Sequence, residues 1–374
     1  MPSSSSCDVI VVGAGVVGLA AARALAAQGA RVIVIERRRV GAEASSAAAG
    51  MIAPQACEPH SPLLPLALQG RDRHLQLAAE LEEETGIGVD LSRLGRLEVV
   101  FDEAGEEALQ RALREQRAQG LDAAVLSGDE VRECEPNVNP AVRGAAYFAG
   151  DRRVDNVRLT RALAASAVAR GATLVTGRPV TGLVVEGGRV AGVRAGAETL
   201  RAPMVINACG AWAGLLADDP QPPPVEPVRG QIVAFDMAPP LLRHVVWSAR
   251  GYLVPRGDGR VLAGSTVERA GFDKSVTAGG VRAILDMALQ IAPALADVRI
   301  ADAWAGLRPG TPDGLPVIGK GALPGLVHAA GLFRDGILLG PLVGEMAALL
   351  AMGRSPSADL AAFSPARFRA AIPM

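Results

Sequence analysis

Arg308 stands in the stretch WAGLRPGTPDGLPVIG, Trp304 to Gly319, as a permanent cation among Gly, Pro, Thr, Asp and aliphatic residues. The prolines and glycines between Gly306 and Pro316 predict a tightly shaped loop, not the inside of a helix or a regular strand. Two readings stay open at this level: a solvated arginine on a surface turn, or a fixed anion clamp. A planar guanidinium suits the second, because it pairs a carboxylate through two parallel hydrogen bonds. Tyr252, in GYLVPR on a candidate strand, offers a phenolic donor to the same anion. No Ser/His/Asp, Cys/His or paired-carboxylate arrangement accompanies them. The four histidines, His60, His74, His244 and His328, lack metal-ligand spacing, and His328 reads as a core residue. The four cysteines are far apart with no CxxC, so no zinc site or disulfide is expected.

The elements that would position this clamp begin at the amino end. DVIVVGAGVVGLAAARALAAQGARVIVIER, Asp8 to Arg37, predicts a buried parallel strand, a glycine turn, a helix and a second strand. Gly13, Gly15 and Gly18 complete G-x-G-x-x-G: a tight turn, close backbone approach to a pyrophosphate, and close helix–strand packing. The helix amino end presents unpaired N–H groups to phosphates, and Glu36 at the second strand's end suits ribose hydroxyls. This unit fits the ADP half of NAD and of FAD equally. Three further stretches repeat strand, glycine and helix signals or pack small residues: ASSAAAGMIAP (Ala44 to Pro54), APMVINACGAWAGLL (Ala202 to Leu216) and GLVHAAGLFRDGILLGPLVGEMAALL (Gly325 to Leu350).

With the Arg308 segment, the order of these stretches resembles the D-amino-acid oxidase superfamily of flavoproteins over essentially the whole chain, most closely its glycine oxidase branch. The resemblance implies noncovalent FAD, since no cysteine lies at a C-terminal position suited to covalent attachment. It implies cofactor contacts from Val16, Arg37, Ala44, Ser45, Ser46, Ala49, Gly50, Met51, Val180, Ala208, Gly210, Gly331, Phe333, Asp335, Gly336 and Ile337, besides the motif glycines and Glu36. Arg308 and Tyr252 would hold a substrate carboxylate, and Arg334 would touch substrate or flavin. The implied activity is oxidative deamination of glycine or another small amino acid with O2 as oxidant, in thiamine thiazole biosynthesis. A dehydrogenase of the same fold acting on D-amino acids or 2-hydroxy acids and passing electrons to quinone is the alternative, and a noncatalytic FAD-binding subunit a further one. A homo-oligomer is implied by resemblance alone.

The expected fold is α/β: a Rossmann-like FAD-binding domain, residues 1–88, 145–224 and 305–374, interleaved with an α+β substrate domain on an antiparallel sheet, residues 89–144 and 225–304. QPPPVEP, Gln221 to Pro227, reads as a linker, and Gly187-Gly188 and Gly257-Asp258-Gly259 as hairpin turns. Trp247 and Met237 are candidates for the substrate wall. A formal charge of -1 and a pI near 6.5 give no reason to expect nucleic acid or an anionic membrane. The apolar runs Val9 to Ala22 and Gly336 to Gly353 are short or interrupted, so stable membrane insertion is not expected. The start MPSSSSCD lacks a basic region, and with the cysteine pattern it predicts a cytoplasmic protein.

Overall fold

The computed structural model describes residues 7–92, 94–239 and 241–368. The first six residues, on which the reading of the amino terminus rests, and residues 369–374 of the expected nucleotide-binding part lie outside them. The strand Val9–Val12 lies at the centre of a six-stranded sheet, flanked in parallel by Met204–Asn207 and Val32–Ile35. Leu326–Ala330 and Thr173–Val175 extend it in parallel, and Val317–Lys320 closes one edge antiparallel. All four residues of Val9–Val12 are buried, as a strand covered on both faces requires. The helices Val16–Ala27 and Gly336–Ala351 pack on this sheet and against each other. Their contact is tight: a Cβ on Gly344 would stand 2.4 Å from the Val17 carbonyl oxygen, and one on Gly18 would stand 2.0 Å from that of Gly13. The final helix continues through Pro341, so the second apolar run is a buried helix.

A second, eight-stranded sheet carries its own core beneath the helix Ala278–Ile291. Its order is Ile300–Gly310, Glu226–Asp236, Arg260–Gly264, Gly251–Pro255, Val245–Ser248, Arg96–Val100, Gly144–Phe148 and Ala124–Ser127. Pairing is antiparallel except between Val245–Ser248 and Arg96–Val100. Gly144–Phe148 and Ile300–Gly310 thus both belong wholly to this sheet, whereas the expected divisions at 145 and 305 run through them. The hairpins at Gly187-Gly188 and Gly257-Gly259 form as predicted, between Val180–Glu186 and Arg189–Ala195 and between Gly251–Pro255 and Arg260–Gly264.

One expectation is corrected. Arg308 lies on a strand, Ile300–Gly310, paired antiparallel with Glu226–Asp236 in unbroken register from Glu226 to Ala234, with one shift before Phe235. Glycine and proline did not break it because it is an edge strand with a single partner, where a missing N–H is tolerated. Pro309 sits opposite Pro227, so neither strand asks the other for the hydrogen bond a proline cannot donate.

Candidate active site

A cavity of about 610 Å³ runs between the two sheets and is lined from both. At one end lie Gly13, Gly15, Val16, Glu36, Arg37 and Val180. Gly13 has φ +107°, and a Cβ there would meet the Ala208 carbonyl oxygen at 2.4 Å, so only glycine makes this turn. Gly15 begins the first helix without a side-chain cap of its own. Ser45 Oγ accepts from the Val16 N–H at 3.0 Å. Glu36 is held at the end of its strand, its oxygens accepting from the backbone N–H groups of Ala14 at 3.0 Å and Arg38 at 2.9 Å. A backbone cradle that a Cβ would fill, an open helix start and a fixed carboxylate together fit the ADP half of a dinucleotide.

The middle of the cavity is lined by Ala44, Ser45, Ala49, Gly50, Met51, Ala208 and Gly210, and by Phe333, Arg334, Asp335, Gly336 and Ile337 at the start of the final helix. The Ala44 to Met51 stretch is gripped from behind. Asn156 Nδ2 donates to the carbonyls of Ser45 and Ser46, Trp304 Nε1 to that of Ala47, and the buried Arg256 to that of Ala49. Gly18, Ser46 and Gly331 are not lining residues: they sit behind the wall, Gly18 against Gly13 and Gly331 against the Thr311 methyl group.

At the other end Arg308 and Tyr252 come together. Arg308 Nη1 donates to the Thr266 carbonyl at 3.0 Å and Nη2 to Ser265 Oγ at 2.6 Å. Burial pushes its pKa down, the adjacent Tyr252 hydroxyl opposes that, and the positive Arg334 adds to it. The guanidinium lies across the face of Gly230, where a Cβ would stand 2.2 Å from Nη1. Gly230, Ser265 and Thr266 are therefore parts of the clamp that sequence reasoning missed. A glycine in the middle of QIVAF's strand was the available signal, since it marks close approach by another group.

Trp247 lines the cavity, edge-on to Tyr252 at 6.0 Å between centroids. Arg334 rests over the Trp247 ring at 5.6 Å, and the buried Arg96 stands 4.9 Å from the same ring. Met237 does not line the cavity. Among the described residues no histidine and no lysine lines it either. Burial raises the Asp335 carboxyl to about 6, opposed by Arg334, and raises the thiols of Cys57 and Cys209 to about 12. Neither thiol is a ready nucleophile. His328 is fully buried, with Nδ1 facing the Asn207 amide at 3.4 Å and burial lowering its pKa. Among the described residues no group of His, Cys, Asp or Glu is placed to hold a metal ion, and no helix is long and apolar enough to cross a membrane.

A family model described as FAD dependent oxidoreductase matches residues 8–350. A glycine oxidase of Pseudomonas putida is 36% identical over 96% of this chain and 98% of its own. The crystal structure of glycine oxidase from Geobacillus kaustophilus superposes with a TM-score of 0.93 at 37% identity, covering 97% of this chain and 99% of that one. A bifunctional protein ThiO/ThiG of Synechocystis is 34% identical over 96% of this chain, which spans 54% of that relative.

Proposed function

The chain belongs to the family of FAD-dependent oxidoreductases, and on that premise we propose that it oxidises the amine of glycine or another small amino acid. The product imine then hydrolyses to a 2-oxo acid and ammonia, with O2 as the final oxidant and hydrogen peroxide as co-product. The observation that carries this reading is the pairing of the half-buried Arg308 with the buried Tyr252 at the end of a cavity whose other end fits the nucleotide. The glycine oxidases it resembles support the substrate, and the bifunctional relative supports a place in thiamine thiazole assembly. A cytoplasmic location agrees with that role.

When bound, FAD supplies the two-electron acceptor for the substrate's α-hydrogen. The protein's part is binding and orientation. The carbonyls of Thr266 and Arg229 take the Arg308 Nη1 hydrogens and Ser265 takes one from Nη2, leaving the second Nη2–H and the Nε–H to a carboxylate. The Tyr252 hydroxyl stands ready as a second donor, and the strand pairing beneath Arg308 fixes it before substrate arrives. Trp247 lines the same end of the cavity, edge-on to Tyr252 and beneath Arg334. With no histidine or lysine in the cavity, the substrate amine enters already neutral, having lost its proton to solvent.

The test is a panel of small amino acids and amines, glycine first, followed by hydrogen peroxide release and by dye reduction under anaerobic conditions. Arg308→Met should lower kcat/KM by about 10²- to 10³-fold, on the order of 3–4 kcal/mol, with FAD content unchanged. Failure of every small amine to bleach the flavin anaerobically would sink the reading. Dye reduction without peroxide would move it to a dehydrogenase.

A further inference from the structure

Strand register sets a row of side chains on the face of the large sheet that borders the cavity. Trp247 pairs with Tyr252, Val245 with Arg96, and Arg96 with Phe148, so Tyr252, Trp247, Arg96 and Phe148 share one face. Three of the four are aromatic, and the fourth is an arginine that is fully buried. Its guanidinium carbon lies 4.1 Å from the Phe148 ring centre and 4.9 Å from that of Trp247. Arg96 Nε donates to Asp151 Oδ2 at 2.7 Å, and Nη1 donates to Glu98 Oε2 at 2.8 Å. Arg96 Nη2 and Oδ1 of the equally buried Asp151 have no hydrogen-bond partner among the described residues. Burial pushes the Asp151 carboxyl up, and the Arg96 guanidinium opposes that. Asp151 also ties the row to the middle of the cavity. The two residues after it, Arg152 and Arg153, pair with Ile52 and Met51, and Met51 lines the cavity.

Such a pair is a poor way to stabilise a core. A buried ion pair that strands one N–H group and one oxygen loses in desolvation much of what its attraction returns, and apolar side chains of similar size do as well or better. What apolar side chains do not supply is the directional pull of a cation on an aromatic face, which is strongest where water is excluded. Asp151 anchors Arg96, and Arg96 holds the Trp247 ring from inside the protein. Arg334 also reaches that ring, at 5.6 Å, but it is exposed and its hold is loose. Trp247 stands edge-on to Tyr252 at 6.0 Å, so the place of the indole sets the space beside the phenol. Resting on the reading of Arg308 and Tyr252 as a carboxylate site, we propose that Arg96, anchored by Asp151, is a positioning residue. It fixes Trp247 at the substrate end and thereby limits the bulk a bound carboxylate carries on its α-carbon.

The test uses the FAD-loaded protein with acetate and trimethylacetate, carboxylates that carry no amine and differ in bulk. Each is titrated and followed by the flavin absorbance, and the ratio of the two dissociation constants is the measurement. Combining Arg96→Met with Asp151→Leu removes both charges together, so no buried ion is left alone and the protein folds with its FAD content unchanged. This double variant should shift the ratio toward trimethylacetate by about 5- to 30-fold, the worth of a desolvated cation–π contact. Arg96→Lys keeps the cation and should shift it less. Because Arg96 acts through the indole, the same double change should move the ratio by less than about twofold in a Trp247→Ala background. In turnover the change should fall on KM for amines bulkier than glycine, with kcat for glycine within about twofold of wild type.

An unchanged ratio in the double variant overturns the proposal, as does an equal shift with and without Trp247. Loss of the fold or of FAD in the double variant would mark the pair as structural and overturns it too. If the ratio shifts as expected while no amine is oxidised, the positioning role stands and the amine-oxidising reading fails.

Discussion

Asp335 is the residue in the cavity whose charge is most at odds with its surroundings. It begins the final helix, it makes no side-chain cap, and burial raises its carboxyl from 3.8 to about 6. The folded state therefore holds a proton between those values that the unfolded chain releases. Stability from this group is unaffected below about pH 4, falls as pH rises toward 6, and stays reduced above it. The shift corresponds to about 3 kcal/mol at most, since the positive end of the helix favours the anion and offsets part of the cost. Asp335→Asn should therefore stabilise the flavin-free protein by about 1–3 kcal/mol at pH 7.5 and by almost nothing at pH 4, measured by urea denaturation. An equal gain at both pH values would show that the carboxylate is not the cause. Sequence placed Asp335 at the flavin-facing turn by resemblance, but its protonation was not legible, because burial depends on residues distant in the chain.

The final helix carries Asp335, Ile337 and Pro341 in one register, and that register creates a need met from another helix. Pro341 has no N–H, so the carbonyl of Ile337, four residues earlier, loses its intrahelical donor. His74, on the helix Leu63–Thr85, fills the gap: its Nε2 lies 2.8 Å from the Ile337 oxygen and donates to it. Burial lowers its pKa to about 4, with the backbone carbonyls opposing. The neutral ring's stability contribution is present above pH 6.5 and is lost as pH falls through 4. His74→Phe should cost about 1–3 kcal/mol, because it strands a buried carbonyl. In a Pro341→Ala background the helix supplies its own N–H, so the same change should cost at least about 1 kcal/mol less. Additive losses in that double-mutant cycle, measured by chemical denaturation, would break the link between the proline and the histidine. Sequence gave no hint of this partnership, since residues 74 and 337 share no local pattern. It did reveal the strand–glycine–helix order around the final helix, because periodicity and turn chemistry are local.

At the scale of the molecule, local pattern identified the nucleotide unit and misjudged the Arg308 segment. A βαβ motif writes its strand, turn and helix in consecutive residues, whereas an edge strand built around Pro309 is recognisable only once Glu226–Asp236 lies beside it. For the same reason Trp247 could be guessed as a wall residue while Gly230, Ser265 and Thr266 were passed over: their role depends on where a side chain from another strand comes to rest. The two sheets are joined by contacts that surround the cavity. Lys274 reaches Glu43 at 2.9 Å, Phe272 stacks on Trp212 at 5.1 Å, and the guanidinium of Arg37 lies 3.4 Å over the same Trp212 ring. Arg256, from the hairpin of the large sheet, grips the Ala49 carbonyl at 3.0 Å and pairs with Asp155 at 3.1 Å. A ligand bound only to the folded state stabilises it by about 2.7 kcal/mol at a hundredfold excess over Kd, and that gain spreads over every element that must be folded for the site to exist. Because both sheets line the cavity, scanning calorimetry should show one unfolding transition whose midpoint rises as a whole with added FAD. Two transitions, with only one moved by the cofactor, would mean that the sheets fold independently and that the cavity between them is a contact rather than a shared core.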